Sequence, residues 1–428
     1  MSDLSVGLDL GTSGLRSAVV DASGNVVSTA RAAYPDVDGD KSNAEAWWGG
    51  AVLCLKAQVA ALHTDSVDPR RIGRLTVDGT SGTLVLTDRA LAPVTRGILY
   101  NEGGFTDEAA QIAQHAPDPH ITRGSSSALA RVLRLQREAG GTRAAHALHQ
   151  ADFVAARLMR RGGVSDHNNA LKTGFDPATG AWPTWFADAG VQLDLLPDVR
   201  PVGEAVAAID PQVAAEIGLP ATTIIHAGTT DSIAAFLAAA PLQIGAAVTS
   251  LGTTLAIKIL SSRRMDDPEI GLYSHRLGEG WLVGGASNTG GGVLASFFSA
   301  DDIEALSARI DPTAPSGLDY YPLLKPGERF PINDPDYPPR LLPRPEDDAV
   351  FLQGLFEGIA RIEAQCYDAI VARGGPEPKP LITAGGGAKN PVFEAIRARE
   401  LGRSISAARH TEAAVGAARL PQLVGAHG

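Results

Sequence analysis

Asp9 stands inside LSVGLDLG, a run otherwise apolar enough for a buried strand, and the chain then breaks into Gly11-Thr12-Ser13-Gly14. Side chains alternate along a strand, so Leu4, Val6, Leu8 and Leu10 share one face while Ser5, Gly7, Asp9 and Gly11 share the other. An unpaired carboxylate buried there is costly. Two arrangements resolve it. Asp9 can cap the following turn, or a metal ion can bridge it to a phosphate held by the N–H groups of Gly11 to Gly14. Glycines on that face let a ligand approach the backbone. A second acid, Asp231, closes the strand pattern TTIIHAG and opens the helix pattern SIAAFLAAA. It suits the first turn or N-cap of that helix. It equally suits a general base at the C-terminal end of a strand, where ligands of open α/β sheets sit.

Other stretches are weaker alone. VDGTSGT places Thr80 and Ser81 at a strand end, where small hydroxyls fit a polyol or an ordinary turn. GGASNTGGGVL and LITAGGGAKNPVF put glycines after apolar strands, a pattern that serves helix packing as readily as a ligand. Neither is G-x-x-x-x-G-K-[ST] or G-x-G-x-x-G, so a P-loop and a dinucleotide fold are not favoured. The 10 histidines show no H-E-x-x-H spacing, so no zinc site is expected.

The elements that must position these residues alternate between strand and helix, which points to an α/β protein. The residues Asp21-Ala22-Ser23-Gly24-Asn25 form a hairpin turn into a return strand. Helices are expected at NAEAWWGGAVLCLKAQVAAL with Asn43 as N-cap, at ALARVLRLQREAG, and at AAHALHQADFVAARLMRRGG. A strand is expected over 222–227. GAAVTSLGTTLAIKILS reads as two strands around Leu251-Gly252-Thr253-Thr254, repeating the unit around Leu10-Gly11-Thr12-Ser13. The repeat implies two related halves with a shared cleft, and the division is expected at 1–240 and 241–410. The proline-rich stretch 311–345 forbids a long helix or central strand. It reads as an ordered surface loop anchored by Tyr320, Tyr321, Leu323, Leu324 and Phe330. FLQGLFEGIARIEAQCYDAIVARGG is a long helix, and Pro391 suits the first turn of NPVFEAIRAREL.

Composition bounds the partners. A chain of 428 residues, 44% hydrophobic, is long enough for two cores. A formal charge of −11 disfavours nucleic acid or an anionic membrane as main partner. It leaves room for an anionic nucleotide, because backbone dipoles hold phosphate inside an acidic protein. Cys54 and Cys366 stand far apart, as thiols of a reducing compartment do. With no secretory leader pattern or membrane-length apolar run, a cytoplasmic monomer or homodimer is expected.

Taken together, GLDLGTSGLRSAVVD, VDGTSGT, SDHNNALKTGFD, HAGTTDSIAAF, VTSLGTT, GGASNTGG, GLFEGIARIEA, AGGGAKN and TEAAVGAA resemble, in order and spacing, the FGGY family of carbohydrate kinases. The resemblance spans essentially the whole chain. VDGTSGT, YSHRL, GGASNTGG and PGERFP look most like the short D-ribulose kinases of bacteria and plastids. Xylulokinases carry Q-M-H-G, and glycerol kinases N-Q-R-E, where this chain has Gly79-Thr80-Ser81-Gly82. Two positions depart from the pattern. Ala130-Arg131 stand where a lysine is expected, and Phe393 stands where a tryptophan often follows A-K-N.

The resemblance implies the actin/heat-shock-chaperone/sugar-kinase ATPase fold, with duplicated ribonuclease-H-like halves and the segment from about 411 to 428 packing back onto the first. It implies transfer of the γ-phosphate of ATP to a ketose, D-ribulose first, with D-xylulose or another polyol as alternative. A non-transferring ATPase or sugar-sensing regulator is the alternative of a different class. It further implies that Asp231, Thr80 and Ser81 hold the sugar, with Asp231 as base, and that Asp9 lies near Mg²⁺ through water. Gly11, Thr12, Ser13, Gly252, Thr253 and Thr254 would cradle the phosphates, and Gly386, Gly387, Asn390 and Phe393 would form the adenine pocket.

Overall fold

The computed structural model describes residues 2–35, 40–140 and 144–425. The chain divides into two compact units, one of residues 1–238 with 412–428 and one of residues 239–411; residues 426–428 lie outside those described.

The first unit contains β1 (Leu4–Gly11), β2 (Gly14–Val20), β3 (Val26–Ala32), α1 (Ala44–Thr64), β4 (Ile72–Gly79), β5 (Leu84–Thr87), α2 (Thr106–Ala113) and α3 (Ala128–Glu138). It continues with β6 (His146–His149), α4 (Gln150–Met159), β7 (Val164–Asp166), α5 (His167–Thr173), β8 (Asp198–Arg200), β9 (Ala205–Ala208), α6 (Pro211–Ile217), β10 (Ile224–Thr230) and α7 (Asp231–Ala239). Six strands form one sheet in the order β3-β2-β1-β4-β10-β9. β1, β4 and β10 run parallel, so their C-terminal ends emerge side by side.

The two faces of β1 do different work. Leu4, Val6, Leu8 and Leu10 pack into a core with Trp47, Leu55 and Leu62 of α1. The opposite face is covered by the chain's last helix. Gly7 admits it closely, since a Cβ there would lie 2.0 Å from the Ala414 carbonyl oxygen. That glycine therefore serves packing, not approach of a ligand as its place beside Asp9 suggested.

The second unit contains β11 (Ala247–Leu251), β12 (Leu255–Ser261), β13 (Tyr273–Leu277), β14 (Gly280–Ser287), α8 (Gly291–Phe297), α9 (Ala300–Ser307), α10 (Asp348–Ala372), β15 (Leu381–Ala384), α11 (Pro391–Leu401) and β16 (Ile405–Ala407). The chain closes with α12 (Ala413–Gly425) on the first unit. The second sheet runs β13-β14-β12-β11-β15-β16. Its run β14-β12-β11-β15-β16 repeats β3-β2-β1-β4-β10 of the first unit: three antiparallel strands followed by two parallel ones. The fold is therefore a duplicated mixed α/β sheet, and Gly11–Gly14 and Leu251–Leu255 are equivalent hairpins. They differ in length, because Gly11 pairs with Gly14 whereas Leu251 pairs with Leu255.

Several boundaries differ from the sequence pattern. AAHALH is not helix; His146–His149 pairs with β5, and the helix starts at Gln150. The strand expected over 222–227 runs from Ile224 to Thr230. In the proline-rich stretch Tyr320, Tyr321, Leu323 and Phe330 are buried as anchors, whereas Leu324 is 57% exposed and anchors nothing. Both cysteines are free and buried. Among the described residues no helix is long and apolar enough to cross a membrane.

Candidate active site

Three aspartates collect at the ends of the three parallel strands of the first unit. Asp9 of β1 lies directly opposite Asp78 of β4 in register, and Thr229 of β10 lies opposite Asp78 on its other side. Asp231 follows one residue after the end of β10. The charge of Asp231 reaches both of the others.

Burial sets the electrostatics here. Asp9 is 4% exposed, and desolvation, helped by the Asp231 charge, raises its carboxyl from 3.8 to about 6. Asp78 is fully buried and pushed well above the ordinary carboxylate range, first by desolvation and then by the charges of Asp9 and Asp231. Neither of its oxygens meets a hydrogen-bond donor. The cation beside Asp9 is Arg16 of β2, with its Nη1 3.6 Å from Asp9 Oδ2. Arg16 Nε in turn pairs with Glu412, at the start of the closing segment, at 2.9 Å. Asp9 is thus held by an ion pair from the neighbouring strand, not as a cap of the Gly11–Gly14 turn.

A β-bulge precedes Asp231. Between His226 and Thr229, β10 carries one residue more than β4 does between Thr76 and Asp78. An extra residue turns the strand locally and redirects the residues after it. Gly228 sits in this bulge, where a Cβ would lie 2.1 Å from the Val77 carbonyl oxygen. Asn168 of α5 donates from Nδ2 to Thr229 Oγ1 at 3.0 Å and braces it. Asn168 and the next residue are themselves placed by Asp166, which caps α5 by accepting from the N–H groups of Asn168 and Asn169. Asp231 is the first helical residue of α7, with Oδ1 accepting the Ser232 N–H at 2.6 Å.

Beside this cluster lies a cavity of 390 Å³ lined by Gly11, Thr12, Tyr34, Lys41, Trp47, Thr80, Thr83, Tyr100, Asn101 and Gln150, among others. Its floor is an ordered polar network. The Thr80 hydroxyl and N–H both donate to Gln150 Oε1, at 2.8 and 3.2 Å. That leaves the Thr83 hydroxyl to donate to Thr80 Oγ1 at 2.7 Å, while Thr83 Oγ1 accepts from the Tyr100 N–H. The Tyr34 hydroxyl donates to the Gly11 carbonyl at 2.9 Å, and Gln150 Nε2 approaches Tyr34 at 3.5 Å. The structure therefore brings Thr80 to the cavity with its hydroxyl already engaged. Ser81 and Asp231 are not among the residues that line it. The turn beneath is held by Arg131, a buried cation whose guanidinium donates to the carbonyls of Gly82, Tyr100 and Glu102.

In the second unit the expected phosphate and adenine residues fall on two neighbouring turns. Gly252, Thr253 and Thr254 are exposed on the β11–β12 hairpin. The N–H groups of Gly291 and Gly292 donate to the Gly252 and Thr253 carbonyls at 2.8 and 2.9 Å, so the glycines of GGASNTGGG pack that hairpin. Gly386 and Gly387 lie in the short 3₁₀ turn after β15. Asn390 caps α11, accepting the Phe393 N–H at 3.0 Å and donating to Ser307 at 2.8 Å. Phe393 corrects the sequence reading. It is 2% exposed and stacked on Phe356 at 4.4 Å between centroids, inside the core, so its ring is not offered to a purine. Below these turns a fully buried bidentate pair, Arg397 with Glu363 at 2.7 Å, also reaches Thr383 of β15.

Asp78, Arg16, Gln150 and Asn168 are residues the sequence reading did not single out. For Asp78 a signal existed: an acid interrupting the apolar run RLTVDG, as Asp9 interrupts LSVGLDLG. The roles of the other three depend on non-local pairing.

Residues 4–238 match the N-terminal domain of the FGGY family of carbohydrate kinases and residues 247–422 its C-terminal domain. The chain is 23% identical over 424 residues to a xylulose kinase of Bacillus subtilis (strain 168), covering 92% of this chain and 82% of that one. It is 22% identical over 369 residues to a gluconokinase of Bacillus subtilis (strain 168), covering 78% and 70%. A solved xylulose kinase from Rhodospirillum rubrum superposes with a TM-score of 0.83 at 22% identity, covering 99% of this chain and 90% of that one. A gluconate kinase from Lactobacillus acidophilus gives 0.81 at 17% identity, covering 99% and 90%. At those identities the structural likeness establishes the fold.

Proposed function

The chain belongs to the FGGY family of carbohydrate kinases, and from that premise we propose that it transfers the γ-phosphoryl group of ATP to the primary hydroxyl of D-ribulose. The observation that carries this reading is Asp231 at a strand end beside Asp9, next to a cavity with a hydroxyl- and amide-bearing floor.

Asp231 takes the proton from the sugar's primary hydroxyl. That oxygen bonds to the γ-phosphorus as the bond to the β–γ bridging oxygen breaks, and ADP leaves. Such a transfer needs mainly positioning and charge stabilisation. Ser81 and Asp231 hold the sugar. Thr80 acts through Gln150, whose Nε2 keeps donor capacity toward the cavity. The exposed turns Thr12–Ser13 and Thr253–Thr254 are each suited to phosphate oxygens through N–H and hydroxyl groups. The turn Gly386–Asn390 takes the adenosine end.

A divalent cation fits the Asp9 end of the site, because two buried carboxyl groups face one another there within reach of a shared proton, and no other group donates to Asp78. Bound with ATP, it would supply charge neutralisation at the phosphates. Asp9 would hold it through water, with Arg16 keeping Asp9 in place.

The choice of D-ribulose is supported by Gly79-Thr80-Ser81-Gly82 in place of Q-M-H-G. A second reading, D-xylulose, is supported by the xylulose kinases among the chain's relatives. ADP release measured with D-ribulose, D-xylulose, gluconate, glycerol and no sugar separates them. D-ribulose is expected to give the highest kcat/KM. A clear D-xylulose maximum replaces the specificity and keeps the kinase. Sugar-independent release replaces the kinase with an ATPase.

A further inference from the structure

We propose that Asp78 joins Asp9 as a second carboxylate for the divalent cation that accompanies the nucleotide. This rests on the kinase reading, and it adds to that reading a residue with which neither the sugar nor the phosphate assignment deals.

The argument starts from register. Parallel pairing of β1 with β4 sets Asp9 opposite Asp78, and side chains at paired positions of adjacent strands point to the same face. Asp78 is fully buried, and both of its carboxylate oxygens lack a hydrogen-bond donor. The group they face is the Asp9 carboxylate. Arg16 contacts Asp9, 3.6 Å away, and is no partner of Asp78. Without a cation the two carboxyls can be relieved only by a proton shared between them, and with both ionised the pair is among the costliest arrangements a fold can hold. Buried polar groups without partners therefore point to a species that completes them.

The chemistry of the pair selects a hard divalent cation. Magnesium is held by one or two carboxylates, with phosphate oxygens and water filling its other positions. Among the described residues no three His, Cys, Asp or Glu side chains converge to hold a metal on their own. A site with two protein carboxylates is then completed only when phosphate arrives, and Asp9 stands two residues before the Gly11–Gly14 turn. Such a site binds its cation together with the nucleotide.

The test uses Mn²⁺ as probe and needs no turnover. Free Mn²⁺ is measured by its electron paramagnetic resonance signal while the full-length protein is titrated in the presence of ADP. Asp78→Asn keeps the shape of the side chain and is expected to weaken Mn²⁺ retention by roughly tenfold or more. Its affinity for ADP in excess chelator stays that of the wild type. Asp78→Glu, which returns a carboxylate, is expected to recover part of the loss. If Asp78→Asn fails to fold, the comparison is carried by Asp78→Glu against Asp78→Ser. Equal Mn²⁺ retention in folded variants with and without a carboxylate at 78 overturns the proposal, and so does a wild type that retains no Mn²⁺ with ADP. Because no sugar is present, a chain that phosphorylates nothing yet shows Asp78-dependent Mn²⁺ keeps this inference and loses the kinase reading.

Discussion

At Asp9 burial works against charge, and the consequence can be measured without any ligand. Its carboxyl rises from 3.8 to about 6, chiefly through desolvation. A carboxyl raised in the folded state stabilises most while protonated. That contribution is complete below about pH 3.8 and is lost as pH climbs through about 6. At pH 8 the ionised group is a net cost of about 1–3 kcal/mol, given about 1.4 kcal/mol per unit and a proton shared with Asp78. Asp9→Asn is therefore expected to melt above the wild type at pH 8 in the absence of divalent cations, with the gap closing toward pH 4. A variant that melts lower at pH 8 contradicts the electrostatic account. The same residue shows what a sequence can and cannot reveal. An acid inside an apolar strand is conspicuous, so Asp9 is legible. Asp78 carries the same mark, but its meaning depends on which strand lies beside β1, and that neighbour is some 70 positions away. Phe393 failed for a different reason: an aromatic in the first turn of a helix serves a ligand or a core equally well, and only the stacking on Phe356 decides.

Elements with local signals were the readable ones. Asn43 precedes an apolar periodic run and caps the helix after it, as its sequence context predicts; Ser127 and Asn390 cap theirs in the same way, though the sequence reading did not single them out as caps. The hairpin turns carry their glycines, and the long α10 carries its period. What failed was non-local. His146–His149 continues the alanines of AAHALH, a run fit for a helix, yet it pairs with β5 because that ladder satisfies its backbone. The bulge in β10 was invisible for the same reason, since it exists only relative to β4. It lies just before Asp231, the base of the proposed reaction, so a change there is expected to reach that reaction. Gly228→Ala drives a Cβ to 2.1 Å from the Val77 carbonyl oxygen. Overpacking of this kind is expected to cost about 1–3 kcal/mol of stability by urea unfolding. In the fraction that remains folded, kcat is expected to drop while ADP affinity holds, because Gly228 belongs to none of the turns assigned to the nucleotide. Unchanged kcat would show that the bulge does not aim the base.

Across the whole molecule, one sheet plan is used twice. The strand orders β3-β2-β1-β4-β10 and β14-β12-β11-β15-β16 repeat, and each places a glycine-threonine hairpin at the same point. L-G-T-S and L-G-T-T make this duplication visible in the sequence. The carboxylates are not duplicated. β1, β4 and the end of β10 carry Asp9, Asp78 and Asp231, whereas Thr249 and Thr383 of β11 and β15 turn toward a buried Arg397–Glu363 pair. The first unit thus holds acids suited to proton and cation chemistry, and the second holds its pair as internal structure. The measurement that bears most directly on this division of labour is sugar-dependent ADP formation by Asp231→Asn, run beside an ADP-binding titration of the same protein. The account predicts wild-type nucleotide affinity and a fall in turnover of roughly 10²–10⁴-fold, the usual contribution of a general base. Turnover close to the wild type, with ADP still bound, would contradict it.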